Sequence, residues 1–140
     1  TELGIAFDAE GFSHTVNYIL DNWANPEDTY GFETADEGFR LVAVNITVSN
    51  TGTEEEEINQ LYYTLDFGGA ESAEASYYGS SASNISRFKT TTLAPGASTT
   101  GDLLVEVPSG STVDAWSIVY NSDPFGFKEG YQPTKVSLKK

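Results

Sequence analysis

Residues 39–50 read Phe-Arg-Leu-Val-Ala-Val-Asn-Ile-Thr-Val-Ser-Asn, and this stretch decides the fold class. Its β-branched residues alternate with small or polar ones, so they fall on one face of an extended chain: Val42, Val44, Ile46 and Val48. The run ends in Asn-Thr-Gly, which is typical of a turn. The pattern predicts a strand of a half-buried sheet, with its apolar face toward the core and its polar face toward water.

Other apolar residues recur in short alternating runs that Gly, Pro and Asn turns separate, and no helical period extends beyond a turn or two. These runs are Leu3–Phe7, Val16–Leu20, Leu61–Phe67, Leu103–Val107, Trp116–Tyr120 and Val136–Leu138, with further strands expected near Tyr77 and over 85–92. The chain is therefore predicted to be all-β, an immunoglobulin-like antiparallel β-sandwich of about seven to nine strands. A single domain is expected over 1–140, with N-terminal strands and an acidic loop in 1–37.

Composition excludes several classes of function. The 140 residues include no Cys, which rules out disulfides and thiolate metal sites. The 21 acidic and 7 basic residues give a net charge of −14, which makes nucleic acid and an anionic membrane surface poor expectations as partners. No run of about twenty apolar residues is present, so no membrane insertion is expected. The sequence begins at Thr1 and holds no Met, so we expect a mature secreted or cell-surface protein. Such an acidic chain suits a saline or calcium-rich exterior.

Five sequence features occur in an order that resembles a known family. They are Gly38-Phe39, Asn50-Thr51-Gly52, Leu93–Gly96, Val107-Pro108 and Trp116–Tyr120. The chain resembles the secreted bacterial and archaeal domain of unknown function that is grouped with the mycobacterial immunoprotective extracellular protein, a telokin-like immunoglobulin sandwich. The resemblance covers 38–138 and implies fold and export. It carries over no catalytic residue.

Enzyme chemistry has little support in this sequence. His14 is the one histidine, and no Gly-x-Ser-x-Gly nucleophile elbow accompanies it. A lone histidine at a strand edge is more often a hydrogen-bonding surface residue than a base. Pairs of carboxylates abound but cannot be ranked. We therefore predict that the protein is not an enzyme.

An acidic segment offers a candidate metal site. Calcium takes six to eight oxygen ligands from flexible loops, and the spacing of an EF-hand is absent here. A solvated acidic loop is the simpler interpretation. The candidate calcium ligands are Asp21, Glu27, Asp28, Asp36 and Glu37.

Aromatic and apolar residues outside the expected core are candidate contacts for a partner or ligand, by stacking or by strand addition. They are Leu3, Ile5, Phe7, Tyr62, Tyr77 and Tyr78. Two Asn-x-Ser/Thr sequons, at Asn45 and Asn84, predict glycosylation, with Asn45 expected on the polar surface of its strand.

Two hypotheses for function follow. In the first, the domain is a non-catalytic surface module that binds a protein or glycan. In the second, it is a subunit of an extracellular filament or surface assembly, in which the strand at Leu3–Phe7 completes the sheet of a neighbouring copy, with calcium as a possible aid. We favour the first, because a strand that folds back into its own sandwich needs no partner and costs less entropy than association.

Overall fold

The computed structural model describes residues 2–21, 23–24, 26, 35–68, 72–74 and 85–139. The described part holds ten strands and two single-turn 3₁₀ helices, Gln60–Tyr62 and Val113–Ala115. The strands are β1 (Glu2–Ala9), β2 (Phe12–Leu20), β3 (Phe39–Asn50), β4 (Glu56–Ile58), β5 (Tyr63–Asp66), β6 (Ser72–Glu74), β7 (Thr91–Leu93), β8 (Ser98–Pro108), β9 (Ser117–Tyr120) and β10 (Thr134–Ser137).

The strands form two four-stranded antiparallel sheets, with orders β1-β2-β3-β8 and β10-β9-β5-β6, and a small β4-β7 pair. The predicted all-β sandwich is confirmed, and β4, β6 and β7 are short strands of three residues each. Over 85–92, the expected strand is reduced to the start of β7 and an isolated bridge at Arg87. No helix in the described ranges is long and apolar enough to cross a membrane.

The core lies between the two four-stranded sheets. Its largest members are Trp116, Tyr63, Tyr120 and Phe88, all of them essentially buried. The predicted phase of the strand at 116–120 is confirmed, because Trp116, Ile118 and Tyr120 are all buried. The Trp116 Nε1 donates a hydrogen bond to the Ser111 hydroxyl at 3.1 Å, which satisfies the polar atom of the ring.

Asn50 joins two turns that are distant in sequence. Its Nδ2 donates to the carbonyls of Glu54 and Leu93, both at 2.8 Å, and its Oδ1 accepts from the Gly52 amide at 2.9 Å. Its backbone carbonyl accepts from the Gly96 amide at 2.8 Å. Two of the sequence features noted above, the Asn-Thr-Gly end of β3 and the Leu-x-Pro-Gly turn, are therefore parts of one hydrogen-bonded unit.

The predicted phase of β2 was wrong in its second half. Pairing with β3 shifts register between Val16 and Tyr18, so one extra residue exchanges the two faces of the strand. Val16 faces the core as expected, but beyond the bulge Ile19 is buried and Leu20 is 37% exposed.

The outer face of β3 is also covered, which corrects the expectation that this polar face meets water. Ala43 is fully buried there, in a small apolar cluster with Trp23 and Leu104, and the Trp23 amide donates to the Leu41 carbonyl at 2.8 Å. The first sheet is thus packed on its inner face and, around Ala43, on its outer face as well.

The N-terminal strand lies in the sheet of its own chain. β1 pairs with β2, Leu3 is buried, and Ile5 and Phe7 pack half-buried against the core. These three residues share the inward face, as the alternation predicted. Their burial within one chain favours the first of the two hypotheses above.

Candidate functional site

Two adjoining cavities, of about 590 and 440 Å³, lie beside the outer face of the first sheet. They share Ile85, Ser86 and Thr100. We call them together the outer groove. Its further lining comprises Arg87, Lys89 and Thr99 in the larger cavity, and Tyr18, Asn45, Gly101 and Asp102 in the smaller one.

A short crossing segment, residues 85–88, builds one wall of this groove along the free edge of β8. The Asp102 amide donates to the Ser86 carbonyl at 2.7 Å, and the Phe88 amide donates to the Asp102 carbonyl at 2.9 Å. Ile85 packs on the apolar cluster of the outer face, whereas Phe88 enters the main core. The segment therefore wraps the edge of the sheet.

Gly101 makes this close approach possible. A Cβ at this position would lie 2.4 Å from the Phe88 Cα and 2.7 Å from the Phe88 nitrogen, distances that no real side chain tolerates. The absence of a side chain at Gly101 lets the crossing segment lie directly on β8.

A buried polar network forms the floor of the groove. The carboxylate of Asp102, which is 5% exposed, accepts from the Asn45 Nδ2 at 2.9 Å and from the Ser86 amide at 2.8 Å. The Asn45 Oδ1 accepts in turn from the Asn17 Nδ2 at 2.8 Å. Because each of these buried groups is hydrogen-bonded, the floor is rigid and polar.

The rim of the groove carries positive charge in a strongly acidic domain. Arg87 and Lys89 line the larger cavity, beside the hydroxyls of Thr99 and Thr100. In the smaller cavity, burial raises the pKa of Tyr18 and the Asp102 carboxylate raises it further, so the phenol stays neutral. The groove thus offers hydroxyl, amide and phenol groups with two cations at one end.

A separate, smaller cavity of about 250 Å³ lies at the β1–β2 hairpin, and we call it the hairpin cleft. Tyr62, a predicted contact residue, lines it and is half-buried. The other lining residues are Glu10, Phe12, Glu56, Glu57, Tyr120, Ser122 and Lys128. The predicted contact residues Tyr77 and Tyr78 lie outside the described residues.

The candidate calcium ligands are not brought together in the part of the chain that is described. Asp21 accepts from the Arg40 Nε at 2.7 Å, and the Asp36 amide donates to the Glu106 carboxylate at 2.7 Å. Glu37 is exposed. Over the same described ranges, no group of three or more acidic or histidine residues is placed to hold a metal ion. Glu27 and Asp28 lie outside these ranges, so calcium binding stays a prediction.

The glycosylation prediction at Asn45 assumed an exposed side chain, and the structure corrects this. Asn45 is 7% exposed, and its Nδ2 is the atom that donates to Asp102. A glycan on that nitrogen would break the hydrogen bond to Asp102. Asn84 lies outside the described residues.

His14 was expected at a strand edge on the surface, and this expectation was wrong. It is fully buried within β2, where its Nδ1 is 2.7 Å from the Tyr63 hydroxyl and its Nε2 is 3.3 Å from the Ala9 carbonyl. Its ring stacks on Phe7 at a centroid distance of 4.7 Å. Burial lowers the pKa of His14, so the ring is a neutral member of the core.

Sequence reasoning missed most of the outer groove. Arg87 and Lys89 lie in one short segment and Asp102 in a later strand, and together they match no motif. The available signal was Gly101, a glycine inside an otherwise continuous strand pattern, which often marks a close approach of another backbone.

Comparison with solved structures agrees with the architecture. The yjhA protein of Bacillus subtilis superposes with a TM-score of 0.66 at 16% identity, over 97% of each chain. A functionally unknown protein from Listeria monocytogenes gives a TM-score of 0.65 at 12% identity, over 97% of this chain and 82% of that one. At these identities the likeness concerns the fold.

The ycdA protein of Bacillus subtilis, described as a "putative lipoprotein", is similar over 100% of this chain with a TM-score of 0.65 at 16% identity. The chain spans 40% of the length of that protein. No curated protein matches the chain.

A family match decides the relationship that the sequence features suggested. The family described as "Domain of unknown function (DUF4352)" matches residues 1–130, which is most of the chain. The likeness to the mycobacterial immunoprotective protein in particular stays a prediction. The chain belongs to the DUF4352 family.

Proposed function

We propose that the protein is a non-catalytic binding domain of the cell exterior, and that its outer groove holds an extracellular glycan bearing carboxylate groups. The observation that carries this proposal is the continuous groove, in which two cavities of about 590 and 440 Å³ share one wall. Cavities of this size are in the range that ligand sites occupy.

The chemistry of the lining supports a glycan. Thr99, Thr100 and Ser86 offer small polar groups, and Tyr18 offers an aromatic body with a neutral hydroxyl. Sugar hydroxyls pair with such groups, and a pyranose face packs on an aromatic ring. The rigid floor limits the entropy that would be lost on binding.

The charge of the rim supports an acidic glycan. Arg87 and Lys89 lie in the larger cavity, and Arg guanidinium groups are well suited to carboxylates. The overall charge of −14 repels an acidic polymer at long range, so the affinity is expected to rise with moderate salt before screening weakens the contact with the rim.

The cell-surface location rests on comparison and composition. The structural likeness to ycdA, with its lipoprotein description, and the resemblance to a secreted family both support an exported protein. The absence of cysteine and the high acidity are compatible with that location.

The test is calorimetric titration of the full chain with a hyaluronan hexasaccharide, which carries carboxylates, and with a chitin hexasaccharide, which is neutral. The first is expected to bind more tightly. Lys89→Ala should weaken binding of the hyaluronan oligosaccharide by about fivefold, the upper end of one exposed ion pair.

Lys139→Ala is the matched control, because Lys139 is also exposed and does not line the groove. Equal losses in the two variants would show a general charge effect and contradict the assignment of the groove. A different result would point to a protein partner in place of the glycan. In that case neither oligosaccharide would bind, and the unaltered chain would capture a protein that the Lys89→Ala variant does not capture.

A further inference from the structure

The hairpin cleft differs from the outer groove in charge and in shape. Three carboxylates, those of Glu10, Glu56 and Glu57, line it together with the aromatic rings of Tyr62 and Tyr120. The rings of Tyr62 and Tyr120 meet edge to face, with centroids 6.1 Å apart. The cleft is therefore an acidic space with aromatic walls, the kind of environment that stabilises a cation.

A strained, fixed hairpin holds one side of the cleft. Glu10 has a φ of 54°, a left-handed conformation that is uncommon for residues other than glycine. Its carboxylate accepts hydrogen bonds from the Ser122 and Tyr131 hydroxyls, each at 2.5 Å. Because both oxygens of Glu10 are engaged within the protein, this residue fixes the wall and supplies negative charge, while Glu56 and Glu57 remain exposed at the mouth.

The Tyr120 hydroxyl gives a second indication of a ligand, independent of the acidic residues. Its side chain is 1% exposed and lines the cleft, yet within the described residues its hydroxyl makes no hydrogen bond. Buried hydroxyls are nearly always paired, so one left without a partner at a cavity wall indicates a group that arrives from outside. Burial raises the pKa of Tyr120, and the nearby Glu10 carboxylate raises it further, so the hydroxyl stays neutral, with its proton as a donor and its oxygen lone pairs as acceptors.

A basic side chain also lies at the rim of the cleft. The Lys128 Nζ lies 5.6 Å from the centroid of the Tyr131 ring, in a cation–π contact beside the cleft that Lys128 lines. The cleft therefore holds one positive charge of its own, against the three carboxylates of Glu10, Glu56 and Glu57.

We propose that the hairpin cleft binds a primary ammonium group, which donates a hydrogen bond to the Tyr120 hydroxyl and is neutralised chiefly by Glu56, because the next residue of β4, Glu57, leaves from the opposite face of the strand. Three carboxylates exclude an anion. A quaternary ammonium has no proton to donate to Tyr120. At about 250 Å³ the cleft is smaller than usual whole-ligand sites, so it fits the end of a chain, such as a lysine side chain or a small alkylamine.

The test follows backbone amide shifts of the full chain by NMR during titration with n-butylammonium chloride. Tetramethylammonium chloride and sodium chloride at the same ionic strength, and neutral n-butanol, are the matched probes. Only n-butylammonium is expected to give saturable shifts that centre on Glu10, Glu56 and Tyr62. A short peptide with one internal lysine then separates the two sources, since tighter binding than n-butylammonium would identify a protein side chain.

Tyr120→Phe keeps the ring and removes the hydroxyl, and it should weaken n-butylammonium by about tenfold. Its melting temperature should not fall, since the Tyr120 hydroxyl has no hydrogen-bond partner among the described residues. Tyr18→Phe, in the outer groove, is the matched control and should bind as the unaltered chain does.

The double variant Glu56→Gln with Glu57→Gln changes only exposed residues, so it tests the proposal even if Tyr120→Phe fails to fold. It should also weaken binding by about tenfold. Unaltered affinity in this variant, equal shifts with tetramethylammonium, or the absence of saturable shifts would overturn the proposal.

Discussion

The two faces of β3 differ in how they are buried. On the inner face, Val42, Val44, Ile46 and Val48 are fully buried among apolar side chains of the core. On the outer face, apolar packing covers Ala43, whereas a hydrogen-bond network fixes Asn45. The comparison teaches that alternation along a strand identifies the chemistry of each face. It does not tell which face meets water.

The largest expected effect comes from the apolar core. Trp116→Ala should lower the free energy of unfolding by about 3–5 kcal/mol, because it leaves a large cavity and removes the hydrogen bond from the ring nitrogen to the Ser111 hydroxyl. Ser117→Ala, its half-buried neighbour on the other face of the strand, should be nearly neutral. Urea denaturation measures both, and similar losses would show that the core is not packed by the inner faces alone.

The next largest loss of stability is expected where the crossing segment contacts β8. Gly101→Ala should cost on the order of 3 kcal/mol, because the new methyl group overlaps the Phe88 backbone. Gly110→Ala is the matched control, since nothing lies within 4 Å of a Cβ there and its φ is not in the positive range. If the two variants unfold at the same urea concentration, the segment does not lie on the strand as described.

A substitution in the polar network on the outer face of β3 should lower the free energy of unfolding by less. Asn45→Ala removes the donor to Asp102 and the acceptor for Asn17, and we expect a loss of about 1–3 kcal/mol. Ser98→Ala, at an exposed position of β8, should change stability little. A double-mutant cycle of Asn45→Ala with Asp102→Asn measures the coupling, and additive losses would mean that the network is not a unit.

His14 is the polar exception within the apolar core, and it makes stability depend on pH. Burial lowers its folded-state pKa below the unfolded value of 6.5, although the Ala9 carbonyl, Glu10 and Asp8 oppose this shift. The unfolded chain therefore binds the proton more readily, so stability is fully present above pH 6.5 and is lost as the pH falls below it.

Urea melts from pH 7.5 to pH 5 should show this decline in the unaltered chain. In His14→Gln, which does not titrate, the decline should be shallower, and the difference between the two profiles isolates the histidine from the many carboxylates. Parallel profiles would show that His14 keeps its ordinary pKa.

The smallest expected effect comes from the net charge of the protein surface as a whole. A net charge of −14 repels itself, and counterions screen it within about 10 Å at 0.1 M ionic strength. The melting temperature should therefore rise modestly along a sodium chloride series and along a calcium series at matched ionic strength. A melting temperature that stays flat in both would contradict the expectation.

The fold was predictable where local pattern and tertiary packing agree. The alternation in β3 and at Trp116–Tyr120 gave the correct inward faces. It failed in β2, because a bulge after Val16 leaves no clear sign in the sequence and exchanges the faces of Tyr18 and Leu20.

The outer groove was less predictable, for a different reason. Its wall is a segment that reaches β8 from elsewhere in the chain, and only long-range contacts bring Ser86 beside Asp102. Likewise, Trp23 lies within the acidic segment that suggested a solvated loop, yet it packs on Leu104. Contacts of this kind depend on the completed sheet, so no local pattern encodes them.

The crossing segment has a consequence for association between copies of the chain. Among the described strands, β8 is an edge strand of 11 residues, and long open edges invite pairing with other chains and aggregation. Ser86 and Phe88 take up both backbone groups of Asp102, in a short parallel bridge near the middle of that edge. A second copy approaching in register therefore meets a strand whose central hydrogen bonds are already made. The segment that forms the wall of the groove therefore also hinders edge-to-edge pairing between copies of the chain.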